Sequence, residues 1–224
     1  MSHDGPVGPE VDAAPAERPK PVTLIGRYAT LVPLDPDAHA QTLYEEVRGR
    51  DEVWLYLFEP PPPNRAAFDA LLRRKAANPD RVYFTVMDHT LGQAGGYACY
   101  MRIDEPHRSI EVGDILFTPA IQRTRGATEA MYLMAKHVFE DLGYRRYEWK
   151  CNDLNAPSKR AALRLGFTFE GVFRQHMIIK GRNRDTAWFA MLDSEWPLRK
   201  AAFERWLDRS NFDAAGRQLR PLAG

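Results

Sequence analysis

The stretch Ile110–Gly143, IEVGDILFTPAIQRTRGATEAMYLMAKHVFEDLG, restricts this chain more than any other. Ile110–Phe117 reads as a buried strand, and Pro119, which lacks an amide N–H, ends it. A polar turn follows with Gln122, Arg123, Thr124, Arg125, Gly126, Ala127 and Thr128. Then Ala130, Met131, Met134, Val138, Phe139 and Leu142 recur at three- and four-residue steps, the apolar face of a helix, which Gly143 closes as a left-handed cap. The first N–H groups of a helix lack internal partners and the dipole there is positive, so small, hydroxyl and cationic residues at that point suit an anionic ligand such as a pyrophosphate. A solvated surface loop is the simpler use of the two arginines.

The surrounding elements define the class of fold. Upstream, Tyr28–Leu34 alternates as a strand, and Asp35-Pro36 opens a helix ending near Gly49. Asn64 caps a second helix that ends before Pro79. Between these helices lies VWLYLFEPPPPN, residues 53–64, where Trp54, Tyr56 and Phe58 alternate before a stiff proline run. Val82–Met87, Ala94–Ile103 and Ile110–Phe117 are joined by short polar connections, Thr90–Gln93 and Asp104–Arg108, which makes antiparallel hairpins. Downstream, Arg145–Cys151 is a strand, so strand, helix and strand form a right-handed parallel crossover. Asn155 caps a short helix closed by Gly166. Phe167–Val172, His176–Lys180 and Thr186–Leu192 are further strands, and Ser194 caps a last helix. The sum is an α+β (α/β layered) domain with a mixed, mostly antiparallel central sheet of about seven strands and flanking helices. The domain is expected over residues 22–210, with a disordered Pro/Ala/Gly-rich tail at 1–21 and a loose C-terminal tail at 211–224.

Composition excludes several function classes. A formal net charge of +1 and no aromatic-basic motif give no reason to expect nucleic acid or an anionic membrane surface. No run reaches the ~18 apolar residues of a membrane span. Cys99 and Cys151 sit in apolar, strand-like runs, which fits buried, reduced thiols and a cytoplasmic location better than a disulfide. The six histidines show no metal-ligand spacing, so no metal is expected.

The order strand, Pro-containing turn, helix, strand, Asn-x-x-Ser, short helix ending in Gly-Phe resembles the GNAT superfamily of acetyl-CoA-dependent N-acetyltransferases. Within it, the chain is similar to the branch holding the bacterial ribosomal-protein N-terminal acetyltransferases. The pieces that carry this are QRTRGATEA (122–130), HVFEDLG (137–143), NAPSKRAALRLGF (155–167) and EGVFR (170–174), in a resemblance that runs from about Thr23 to Pro197. It implies the GNAT acyl-CoA N-acyltransferase fold, acetyl-CoA (CoA) as cofactor, and an amine acceptor that is a small molecule or a protein N-terminus. It implies that Gln122, Arg123, Thr124, Arg125, Gly126, Ala127 and Thr128 hold the pyrophosphate. The family's pattern there is Gln/Arg-x-x-Gly-x-Gly/Ala; Arg125 stands at the central glycine, and Gly126 comes one place later. It also implies a splayed strand pair, Ile110–Phe117 and Tyr144–Cys151. The pantetheine amides would bond near Leu116, Phe117 and Thr118, and Gly113 would mark the bulge that starts the splay.

The chemistry so implied is direct attack of an amine on a thioester in a ternary complex, which needs a base, a polarised carbonyl and a stabilised leaving thiolate. Glu111 is the first candidate base and Asp114 the second. In an unbroken strand they face opposite sides, a bulge would change that, and either could instead pair with an arginine such as Arg102. Many GNAT enzymes place a tyrosine four residues before Gly-Phe, where this chain has Ala162. Ser158 is the candidate donor to the leaving sulfur, and Asn155 to the pantetheine, though Asn at a cap and Ser in a first turn are also ordinary helix-start chemistry. The acceptor side is expected from Trp54, Tyr56, Phe58, His107, Arg174 and His176, with packing onto the sheet as the other use of Trp54. The competing reading is a non-catalytic acyl-CoA-binding or sensor module, supported by Arg125 and Ala162. The C-terminal strands and helix offer a surface for a homodimer.

Overall fold

The computed structural model describes residues 8–222. One sheet contains β1 (Leu24–Ile25), β2 (Ala29–Pro33), β3 (Val82–Asp88), β4 (Gln93–Asp104), β5 (Ser109–Phe117), β6 (Arg146–Asn152), β7 (Thr168–Ile179) and β8 (Arg182–Leu192), in the order β1-β2-β3-β4-β5-β6-β8-β7. Every neighbouring pair is antiparallel except β5–β6. That exception follows from the chain between them: α3 (Arg125–Lys136), extended by a π-helical turn at His137–Asp141, carries it back to the start of β6. Gly143, at φ +72°, ends this helix as expected.

Alternation along the strands makes two cores. Phe84, Val86, Ala98, Tyr100, Ile110 and Val112 meet α3, α4 (Ala156–Arg164) and α5 (Trp196–Leu207) on one face. Tyr83, Tyr97, Cys99, Met101 and Leu116 meet α1 (Pro36–Val47) and α2 (Arg65–Ala76) on the other. The parity holds along β3 and from Tyr97 to Met101 of β4. It switches at both ends of β4, where Ala94 joins the α1/α2 core and Ile103 the other, and again within β5 between Val112 and Leu116; a period-2 strand can do that only through an irregularity.

The caps of α1, α2 and α4 are the expected ones: Asp35, Asn64 and Asn155 each accept first-turn amides. Four expectations need correction. A two-residue strand, β1, is too short to leave a pattern. Phe167–Val172 and His176–Lys180 are one strand, β7, in which Arg174, Gln175 and His176 bow out against the single residue Asp185, with Gln175 at φ +50°. Ser194 does not cap α5, because Glu195 holds that position without a side-chain bond. Parts of both expected tails lie on the domain: Ala16 is buried and its amide bonds Glu105 O, Arg18 pairs with Glu105, Trp206 Nε1 bonds Gln218, and Leu222 is buried. Average composition hides such single anchoring residues.

Glu129 in α3 shows how local sequence fixes a distant loop. Its buried carboxylate accepts from the amides of Arg27, Tyr28 and Ala29. A Cβ at Gly26 would stand 2.4 Å from Glu129 Oε2, so this turn needs a glycine.

His39 in α1 predicts a pH dependence. Its Nδ1 accepts from the Asp35 amide at 3.2 Å and lies 2.9 Å from Thr85 Oγ1, and burial lowers its pKa from the ordinary 6.5. The unfolded chain therefore binds this proton more readily than the folded one. The contribution is full above pH 6.5 and is lost as pH falls through the folded value. Urea midpoints taken from about pH 7.5 down to about pH 5.5 should fall in the wild type and fall less in His39→Gln.

Candidate active site

β5 and β6 pair only from Ser109↔Arg146 to Val112↔Trp149. Beyond that point β6 stays with β8 as far as Asn152↔Thr186, while β5 stays with β4 as far as Phe117↔Gly96. A wedge therefore opens between residues 113–117 and 150–152. The bulge that produces it lies at Asp114 rather than Gly113. Asp114 has φ +48°, and β5 advances three residues (Gly113 to Leu116) while β4 advances two (Tyr97 to Cys99). Gly113 serves close packing: a Cβ there would meet Met101 Sδ at 2.6 Å.

The bulge puts Glu111 and Asp114 on the same face, in different surroundings. Asp114's side chain has no solvent exposure and is bound by Lys75, by Tyr83 OH and by Arg81. Lys75 also pairs with Glu59 at 3.1 Å. Glu111, 2% exposed, lies at the root of the wedge, 2.8 Å from Arg102 Nη1 and 3.0 Å from Lys150 Nζ. Lys150 in turn pairs with Glu148 at 2.6 Å and stands 3.7 Å from the centroid of the Trp188 ring.

The three-residue bow in β7 separates two of the expected acceptor residues. His176 turns inward: its Nδ1 is 3.0 Å from Thr186 Oγ1, and its ring meets Phe173 and Trp188. Burial lowers its pKa, and the charges of Arg102, Arg184 and Lys150 lower it further, which keeps the ring neutral at neutral pH. Arg174 does not join it; it lines a shallow surface depression with Gln175, Asn183 and Asp185. His107 is also apart, exposed on the turn that precedes β5, at the opposite end of that strand from the wedge.

Trp54, Tyr56 and Phe58 do not share a face, because Asp51–Trp54 is a 3-10 turn and not an extended segment. Trp54 belongs to the α1/α2 core, edge-on to Phe68. Tyr56 OH donates to Leu154 O at 3.0 Å, which ties this segment to the loop before α4. Phe58 has two guanidinium groups 5.6 Å from its ring centroid, Arg81 and Arg184. Lys180 from the β7–β8 turn donates to Trp54 O, so the hairpin and the segment meet beside the wedge.

At the other mouth of the wedge, Thr124 caps α3 through its Oγ1 and the Ala127 amide. The amides of Arg125 and Gly126 have no acceptor among the described residues. Arg125 is the first helical residue, and its side chain points away, 4.8 Å from the Tyr28 ring centroid and 4.7 Å from that of Phe212. The left-handed position of the turn is Arg123, φ +64°. Gly126 is required by packing, since a Cβ would fall 2.1 Å from Asp88 Oδ2. Gln122 Nε2 donates to Phe117 O, the Thr118 amide is committed to Gly95 O, and Leu116 is buried in the core. Thr128 Oγ1 accepts from Arg164, a cation of α4 that rests on the Trp206 ring. Sequence reasoning missed Arg164, because one arginine in a last helical turn carries no distinguishing signal. Ser158 accepts from Trp149 Nε1 at 3.0 Å and its amide bonds Asn155 Oδ1. Ala162 is fully buried.

A mixed sheet whose parallel pair splays beside a helix start with unpaired amides is the architecture of an acyl-CoA-dependent acyltransferase. The acetyltransferase (GNAT) domain family matches residues 29–168, and the chain belongs to that family. Among solved structures, it is similar to a GCN5-related N-acetyltransferase from Brucella melitensis, with 45% identity over 94% of this chain and 96% of that one and a TM-score of 0.92. A GNAT-family protein from Chromobacterium violaceum is 38% identical over 88% of this chain and 100% of that one, with a TM-score of 0.80. RimL, a ribosomal L7/L12 alpha-N-protein acetyltransferase, shares the fold at 17% identity over 76% of this chain and 94% of that one, with a TM-score of 0.64. No curated protein matches the sequence significantly. No helix among the described residues is long and apolar enough to cross a membrane.

Proposed function

We propose that the protein is an N-acetyltransferase that moves the acetyl group of acetyl-CoA to a primary amine by direct attack. The observation that carries this reading is Glu111 at the root of the wedge, in contact with Arg102 and Lys150 and facing the same cleft as His176, Trp188 and Phe58. Acetyl-CoA supplies a thioester. The open β5 edge and the free amides of Arg125 and Gly126 suit its pantetheine and pyrophosphate. The amine nitrogen forms the new bond to the carbonyl carbon, the carbon–sulfur bond breaks, and the nitrogen's proton passes to Glu111 through water. The hydroxyl of Ser158, whose oxygen accepts from Trp149, donates a hydrogen bond to the departing sulfur, which leaves with the electron pair of the broken bond as the CoA thiolate. Asp114, sealed by Lys75, Tyr83 and Arg81, is assigned to the fold and not to the proton transfer.

Release of free CoA thiol with a panel of amines tests the reading: release should depend on the amine, and acetyl-CoA binding with no release for any amine would refute it. Arg125→Gly separates cofactor contact from packing. It removes the stacking on Tyr28 and Phe212 and puts glycine in a helix, so stability should fall by about 1–2 kcal/mol. Acetyl-CoA affinity by calorimetry should not change, since the side chain faces away from the amides.

A further inference from the structure

Among the described residues three cationic side chains are buried, Lys75, Lys150 and Arg184, and Lys150 holds the carboxylates of Glu111 and Glu148. Lys75 has two carboxylates, those of Asp114 and Glu59. Arg184, 7% exposed, has none within ion-pair distance; its hydrogen bond is Nε to Thr186 Oγ1 at 3.2 Å. A guanidinium taken out of water without a counter-ion is unfavourable, and an incoming anion would relieve it. The terminal nitrogens are not sealed off from solvent. The fork is held in place by Thr186 on one side and by the Phe58 ring on the other, as a bidentate carboxylate site requires.

Position fits the same purpose. Thr186, which bonds Arg184, pairs across the sheet with Asn152 at the end of the wedge, and the charges of Glu111 and Arg102 both act on Arg184. His176 shares Thr186 Oγ1 with it. Around the wedge the three cations Arg102, Lys150 and Arg184 face the two carboxylates Glu111 and Glu148, which leaves one positive charge unmatched and opposes a second positive charge on an acceptor. A polyamine meets repulsion in such a cleft, and an amine with a negative group meets a vacant cation.

We infer that the acceptor is an amine bearing a carboxylate, and that Arg184 binds that carboxylate. This rests on the acetyl-transfer reading. The test compares kcat/KM for matched acids and amides: glycine, β-alanine and γ-aminobutyrate against their carboxamides, and peptides starting with Asp against peptides starting with Asn. The first arm reads a free amino acid, the second an acidic protein N-terminus. In at least one pair the acid should be preferred by about 10- to 100-fold, the worth of a charge-assisted bond. The amide member has the less basic amine, so intrinsic reactivity works against this result. Arg184→Gln should level the pair, and Arg184→Lys should keep part of the preference. Equal kcat/KM for acid and amide in the wild type overturns the inference, and so does a preference that survives Arg184→Gln. A thermal-shift titration of the wild type with the same pairs reads the site without turnover: stabilisation by acid alone supports it, and equal stabilisation by acid and amide overturns it. Acetylation of no member of any pair counts against the acetyl-transfer reading, and the thermal-shift arm then decides the carboxylate site by itself.

Discussion

Replacing Glu111 with glutamine is expected to lower kcat by about 10²- to 10⁴-fold, the usual worth of a positioned base, with little change in the KM for acetyl-CoA. Glutamine keeps the shape and removes the charge. The carboxylate now sits between Arg102 and Lys150, so the substitution also strips both cations of a partner. Some stability will therefore be lost, and unfolding curves must accompany the kinetics. The two effects separate in the pH profile. A base acting through water gives the wild type an acid limb in kcat, and that limb should vanish in Glu111→Gln. An unchanged kcat beside a lowered unfolding midpoint would make Glu111 a structural ion.

The second large effect is on stability. Lys75→Met is expected to destabilise the domain by about 3–5 kcal/mol, because it leaves Asp114 buried with its principal cation gone. Asp114 has no exposed surface, and its Oδ1 already lacks a partner. Arg81, on the flank, and the Tyr83 hydroxyl cannot replace an ammonium in contact. Adding Asp114→Asn to Lys75→Met should recover most of the loss, since the charge that needed the lysine is then absent. Urea unfolding of the two single variants and the double variant closes the cycle. Turnover per folded molecule should fall far less than in Glu111→Gln, because Glu111 itself is retained. Two carboxylates three residues apart would then be told apart by experiment: one acts in proton transfer, the other holds the bulge that places it.

Local pattern carried much of this fold. The α3 face, the hairpins of β3, β4 and β5, the parallel crossover and the Asn155 cap all depend on neighbours in sequence, and all are present. What stayed hidden depends on partners far away. Arg125 read as a possible phosphate ligand because the ring that receives it, Phe212, is distant in the chain. The bulge read as Gly113 because glycine is the usual residue at positive φ, whereas aspartate also tolerates that region and Asp114 is fixed there by Lys75 of α2. Trp54, Tyr56 and Phe58 looked like an extended stripe until a 3-10 turn broke the alternation. Arg184 gave no signal at all, since an arginine on a polar-looking strand is ordinary until its surroundings lack a carboxylate.

Direct acetyl transfer to an amine nitrogen leaves the acetyl group on the product and never on the protein. It is tested most directly by following an isotope-labelled acetyl group from acetyl-CoA in the presence of a carboxylate-bearing amine, with the intact protein mass read in parallel. One labelled amide should form for each CoA released, and the protein should carry no acetyl group when incubated with acetyl-CoA alone. CoA release without an amide product, or a stable acetyl-protein that forms before the amine is added, would contradict it.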